Sequence, residues 1–259
     1  MINESLAFLC NPSIRKFKIL PPLINPNQKY LQTSFTLGYD RFTNYKIIAL
    51  SVCNHQNNTE DHIGEINVHT LGTDYWRRIH DFPNHHLIWG PGIFVSDSVN
   101  WLPYDAHSRS YGKVIVSLYL EKESYQEFLH PLYDIQSETY VSLGVLRDCL
   151  CIFSHSDKFS DVWIMKEYGN INSWTKLLRV PYIGDRDFYF YNKALYISKD
   201  DQVLMNFREM GKFSWAVYDS INDTFKIPEI QSNIKDSNVG GVYFPNVYIE
   251  SLISPFFQD

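Results

Sequence analysis

Apolar and polar positions alternate with a period of two along most of the chain, and no stretch of ten or more residues carries a helical period. The clearest segment runs from Asp161 to Val180. Val162 and Ile164 form the apolar side of one strand, Gly169 to Ser173 is a polar turn, and a second strand starts at Trp174 and stops at Pro181. Variants of this hairpin recur at Cys10 to Pro21 around Phe17, Val68 to Pro83 around Trp76, Val116 to Pro131 around Tyr125, and Val217 to Pro228 around Phe225. The terminating prolines at 21, 83, 131, 181 and 228 are 62, 48, 50 and 47 residues apart, which marks a repeat architecture with a period near fifty.

Within each period the pattern predicts four strands. In the first full unit these are Phe35 to Tyr39, Tyr45 to Cys53, Glu65 to Leu71 and Tyr75 to Phe82, with a loop over 54–62. The next has strands at Gly92 to Val95, Val99 to Leu102, Val114 to Leu120 and Tyr125 to Leu129, with Ser96-Asp97-Ser98 as its tight turn. Further units span 142–180, with Arg147-Asp148 as the first turn, and 187–227, with Asn192-Lys193 in that place. Only the last two strands of a unit are visible at the N-terminus, over Leu6 to Leu20, and one more strand is expected at Val247 to Leu252. Four antiparallel strands per repeat predict an all-β protein, a kelch-like β-propeller of about five four-stranded blades forming a single domain over 1–259. The first blade is incomplete in sequence and is expected to be closed by the C-terminal strand, because closure removes exposed strand edges. A two-sheet sandwich is the competing architecture, but it would need no fixed period.

Composition fits a folded protein with ample core: 44% hydrophobic, 16% aromatic and 20% charged residues. A net charge of -6 argues against a surface dedicated to nucleic-acid phosphates. Four spread cysteines, Cys10, Cys53, Cys149 and Cys151, make no disulfide framework and suit a reducing, cytoplasmic or nuclear compartment. The apolar run Leu6 to Cys10 is too short for a membrane span and follows Glu4 where a secretory signal carries positive charge. We therefore expect no membrane and no nucleic-acid partner.

Candidate chemistry is sparse. Cys149 and Cys151 share one strand face, but no second ligand pair follows, so they read as small buried hydrophobes rather than metal ligands. His85-His86 reads as a solvated loop. Asp185 with Asp187 and Asp200-Asp201 could supply acid and base, yet they fall where turns are expected. No phosphate loop or nucleophile elbow occurs, so we expect no enzyme, no cofactor and no metal.

The motifs Asn11-Pro12-Ser13-Ile14-Arg15-Lys16 before Leu20-Pro21-Pro22, Gly38-Tyr39-Asp40, Trp76-Arg77-Arg78-Ile79, Val99-Asn100-Trp101, Val162-Trp163-Ile164-Met165-Lys166-Glu167-Tyr168 and Tyr248-Ile249-Glu250-Ser251-Leu252 follow one another in a familiar order. Together they resemble the F-box-associated domain of plant F-box/kelch-repeat proteins. That resemblance implies a protein-interaction module that presents targets to an SCF-type ubiquitin ligase. In that family an F-box grips a Skp-family adaptor, which joins the cullin. The helical F-box and the first strands of the associated domain, which would precede Asn11, have no counterpart in the sequence. Residues 1–259 read as the recognition half alone, N-terminally truncated, and no stable adaptor binding is expected of them by themselves. A carbohydrate-binding or glycoside-cleaving propeller is the alternative, and it lacks clustered carboxylates on inner strands. Connections after the second and fourth strands of each blade share one face and are expected to be the long ones: 22–34, 54–62, 84–91, 104–112, 132–141 and 155–160. Loops on a rigid scaffold concentrate binding residues, so Trp89, Tyr104, Arg109 and Phe159 are the expected partner-binding anchors.

Overall fold

A computed structural model describes residues 7–23, 30–41, 45–55, 58–79, 82, 88, 90–105, 110–111, 113–132, 140–156, 158–182, 193–209 and 212–228. Every regular element longer than three residues among them is a strand. The chain opens with a two-stranded hairpin, β1 (Phe8–Asn11) and β2 (Lys16–Ile19). The first four-stranded sheet follows in sequence order: β3 (Tyr30–Tyr39), β4 (Tyr45–His55), β5 (Asn58–Thr70) and β6 (Arg77–Arg78). Next come β7 (Ile93–Val95), β8 (Ser98–Trp101), a small separate hairpin of β9 (Tyr104–Asp105) and β10 (Ser110–Tyr111), then β11 (Val114–Tyr119) and β12 (Ser124–Leu129). Strands β7, β8, β11 and β12 pair in that order as the second sheet.

The third sheet is β13 (Tyr140–Leu146), β14 (Cys149–His155), β15 (Phe159–Met165) and β16 (Trp174–Pro181). The fourth is β17 (Lys193–Ile197), β18 (Gln202–Glu209), β19 (Lys212–Asp219) and β20 (Thr224–Lys226). All pairings are antiparallel. Strands β1 to β12 belong to one compact unit and β13 to β20 to a second.

In the first unit, Ile48, Leu50, Ile66 and Val68 of one sheet form a core with Val99, Trp101, Val116 and Leu118 of the other. Phe82 contributes edge-on contacts with Trp101 at 5.6 Å and Tyr125 at 6.0 Å between ring centroids. In the second unit, Cys151, Phe153, Val162 and Ile164 pack with Ala194, Val203, Met205, Ala216 and Tyr218. Each fully buried aliphatic side chain contributes about 2 kcal/mol of transfer free energy. Because Leu150 and Ile152 on the other face of β14 are buried as well, that strand reads as an unbroken apolar run instead of an alternation.

The recurring sequence hairpin is the outer half of each sheet: β5–β6, β11–β12, β15–β16 and β19–β20, with β1–β2 as a fifth copy. Its aromatic lies opposite the end of the preceding strand, as in Leu118 across from Tyr125, Met165 from Trp174, Tyr218 from Phe225 and Cys10 from Phe17. Arg15, Glu123 and Asp223 each sit two residues before that aromatic with φ near +50°, a left-handed position that closes the turn. The first turns of the second and third sheets, Ser96-Asp97 and Arg147-Asp148, have φ > 0 at both central residues, the geometry that matches strand twist in a two-residue hairpin.

Several expectations are corrected. The complete sheets number four where about five blades were expected, and β1–β2 gains no further strand among the described residues. The expected closing strand at 247–252 lies outside the described residues. Polar residues 54–55 and 58–62 are strand where a loop was expected: the β4–β5 ladder continues out to the His55–Asn58 pair, because main-chain bonds do not require apolar side chains. The expected loop at 155–160 shrinks to the residues between β14 and β15, and 104–112 contains β9 and β10. In the fourth sheet Lys193 begins a strand, and the first turn falls at Asp200-Asp201 instead, with Asp201 at φ 56°. The acidic pair there supplies the turn that Asn192-Lys193 was expected to make.

Candidate functional site

Of the four expected anchors, two lie among the described residues. Tyr104 is half-buried in β9 of the first unit, in register with Tyr111. Phe159 opens β15 of the second unit, in register with Pro181. Trp89 and Arg109 lie outside the described residues, as do His85-His86 and Asp185 with Asp187.

Phe159 belongs to the best-defined surface cluster of the second unit. The Arg179 guanidinium lies over its ring, 3.5 Å from the centroid, a geometry that contributes about 0.5–1 kcal/mol at an exposed site. The same guanidinium is bidentate on Asp161, with Nε donating to Oδ1 at 2.6 Å and Nη2 to Oδ2 at 2.9 Å. Lys176 Nζ adds a contact to Oδ2 at 2.7 Å. Phe159, Asp161 and Trp163 alternate with the buried Ser160, Val162 and Ile164, so they share one face of β15.

Lys176 and Arg179 are three apart, which in a regular strand would send them to opposite faces. A bulge resolves this. Trp163 pairs with Lys176 while Val162 pairs with Leu178, leaving Leu177 as the extra residue and returning both cations to the Asp161 side. Partial burial pushes the Asp161 carboxyl up, but the hydrogen bonds from Arg179 and Lys176 outweigh it and hold the carboxyl below the ordinary aspartate value. The Asp161 bond in turn raises Arg179.

At the far end of the hairpin the turn is fixed by its own polar side chains. Asn170 Oδ1 accepts from Asn172 N at 3.1 Å to cap the short 3-10 turn Ile171–Ser173, and its amide donates to Glu167 at 2.8 Å. Ser173 Oγ accepts from Glu167 N at 3.0 Å, and Gly169 takes φ 82°, which only glycine adopts without strain. Ile171 is left exposed at the tip.

Elsewhere the sequence candidates take structural roles. Cys149 is half-buried and Cys151 fully buried, with the Cys151 thiol 3.3 Å from the Cys149 carbonyl. Asp201 accepts from Arg147 and holds two turns of the second unit together. Among the described residues no group of three or more His, Cys, Asp or Glu side chains is placed to hold a metal ion, and no helix is long and apolar enough to cross a membrane. Sequence reading singled out Phe159 but missed its partners. The signal available was Asp161 beside two cations on the facing strand, and the bulge that brings both to it has no sequence mark.

Four sheets of four antiparallel strands each, following one another along the chain, define a repeat-built all-β protein. The F-box associated beta propeller domain family matches residues 1–255, and the chain belongs to it: its fold is an all-β propeller. Similar proteins come from Arabidopsis thaliana. The F-box/kelch-repeat protein At3g23880 is 27% identical over 97% of this chain and 65% of its own length. The F-box protein CPR1 is 27% identical over 79% of this chain and 55% of its own, and the F-box protein At4g22390 is 25% identical over 79% and 56%. The chain thus spans less than two thirds of each of these relatives.

Proposed function

We propose that residues 1–259 hold a target protein for ubiquitination, as the substrate-recognition part of an SCF-type ligase subunit. The observation that carries this reading is the family match across 1–255 with relatives that are F-box proteins. On this reading the chain is not an enzyme, works in the cytoplasm or nucleus, and meets a Skp-family adaptor and a cullin only through an F-box. Target contacts centre on Phe159 with Arg179 in the second unit and on Tyr104 in the first, with Trp89 and Arg109 as further anchors. An aromatic clamped beneath a guanidinium is the kind of rigid anchor on which binding energy concentrates.

The test is capture by the tagged, purified chain from plant extract, identification of bound proteins by mass spectrometry, and competition with untagged chain. A saturable partner should lose at least about tenfold in affinity with Phe159→Ala or Tyr104→Ala. A chain that retains no competable protein, or whose partner is indifferent to both substitutions, overturns the proposal for the function or for its anchors, respectively.

A further inference from the structure

Strand β16 is the last of its sheet, and among the described residues it pairs only with β15. At 8 residues it is the longest of the four strands that come last in their sheets, against 2 in β6, 6 in β12 and 3 in β20; among the strands at the opposite edges only β3, with 10, is longer. Long outer edges invite pairing by another chain, and proteins ordinarily keep them short. The direction of its main-chain groups follows from the hydrogen bonds at its two ends. Tyr182 N–H donates to the Lys158 carbonyl at 3.1 Å, so Lys158 and Tyr182 are a bonded pair. Antiparallel alternation then turns the N–H and C=O of Arg179 away from β15. At the other end Lys166 N–H donates to the Ser173 carbonyl at 3.4 Å, and the same alternation turns the Lys176 groups outward. Pro181 sits at a position whose N–H would also point outward, where an edge tolerates proline and where pairing must stop.

Charge singles out the occupant. Residues 158–181 hold Lys158, Lys166, Lys176 and Arg179 against Asp161 and Glu167, a net charge of +2 in a chain whose total is -6. Lys158 and Lys166 are exposed, at opposite ends of the β15–β16 hairpin, and the Arg179 side chain is half exposed.

We propose that β16 is a docking edge on which the target protein adds an extended acidic segment as a fifth strand of the sheet. Main-chain bonds at Lys176 and Arg179 set the register, and the exposed Lys158 and Lys166 select Asp and Glu on the incoming segment. The proposal rests on the reading that the chain holds a protein target, and it names the part of the target held.

The probe is a library of random peptides as long as β16, displayed on phage and selected against residues 1–259. Selected peptides are synthesised and their affinity read by fluorescence anisotropy. The expected result is enrichment in Asp and Glu, with binding weakened at least about tenfold by N-methylation of one alternating set of peptide amides and little by the other. The double variant Lys158→Glu with Lys166→Glu, which leaves the Asp161 cluster untouched, should weaken binding by about tenfold or more, and the difference should shrink at high salt. Selection of neutral or basic peptides, indifference to N-methylation, or a double variant that binds as wild type overturns the docking edge. An empty selection from a chain that still captures a competable protein overturns the edge and leaves target holding intact. Loss of both overturns target holding itself.

Discussion

Replacing Lys46 by alanine is expected to destabilise the first unit by about 3 kcal/mol, the cost of stripping one partner from a buried ion pair. Lys46 lies at the start of β4, and its ammonium donates to the Leu120 carbonyl at 2.7 Å at the end of the second sheet. It also lies 3.5 Å from Asp40 and 3.7 Å from Glu123. Both Lys46 and Asp40 are buried, so removing the ammonium leaves a carboxylate in a poorly solvated site and deprives Leu120 of its donor. Glu123 is pushed up by burial, but Arg77 and Lys46 together hold it below the ordinary glutamate value, so its carboxylate stays ionised at neutral pH. Thermal unfolding followed by circular dichroism should show a midpoint lowered by roughly 6–12 °C. The double variant Lys46→Met with Asp40→Asn should recover part of that loss, because no buried charge is then left without its counter-ion. A Lys46→Ala protein within about 1 kcal/mol of wild type would contradict the account of this cluster.

Gly92→Ala is the second large effect, expected at about 1–3 kcal/mol by overpacking. A methyl at Gly92 would lie 2.4 Å from Val99 Cγ1 and 2.7 Å from the Trp101 ring, and both side chains are fully buried in the first core. Neither can step aside without disturbing Phe82 and the facing sheet. Gly92 also offers its carbonyl to Thr36 at 3.2 Å, so a displaced backbone would break a tie between the two sheets. Denaturant unfolding of Gly92→Ala, of Val99→Ala and of the double variant is the check, with the double compared against the sum of the two singles. The double should be less than additive, because shortening Val99 makes room for the new methyl; full additivity would show that the two sites do not touch.

Much of the architecture was legible because strand pairs are local. The aromatic and proline of each outer hairpin mark its turn and its end, and Leu118 with Tyr125 or Tyr218 with Phe225 need only seven residues of sequence to be found. What the sequence concealed is whatever depends on distant pairing or on main-chain geometry. Polar residues 58–62 look like a loop until β4 is seen to extend the ladder, and Asp200-Asp201 and Asn192-Lys193 are equally good turns until pairing with β18 chooses between them. The Lys46 cluster joins residues 77 positions apart in sequence, and the Asp161 cluster depends on a one-residue bulge at Leu177. Among the expected anchors, aromatic character and loop position pointed to Phe159 and Tyr104, but only the fold seats a guanidinium on Phe159.

Target holding is tested most directly by fusing an F-box ahead of Met1 and comparing that fusion with residues 1–259 in cells, with ubiquitinated proteins quantified in both. The account predicts that the fusion alone co-elutes with a Skp-family adaptor and cullin, and that the proteins captured by residues 1–259 become ubiquitinated in its presence. Ubiquitination that leaves the captured proteins unchanged, with adaptor and cullin bound, would contradict it.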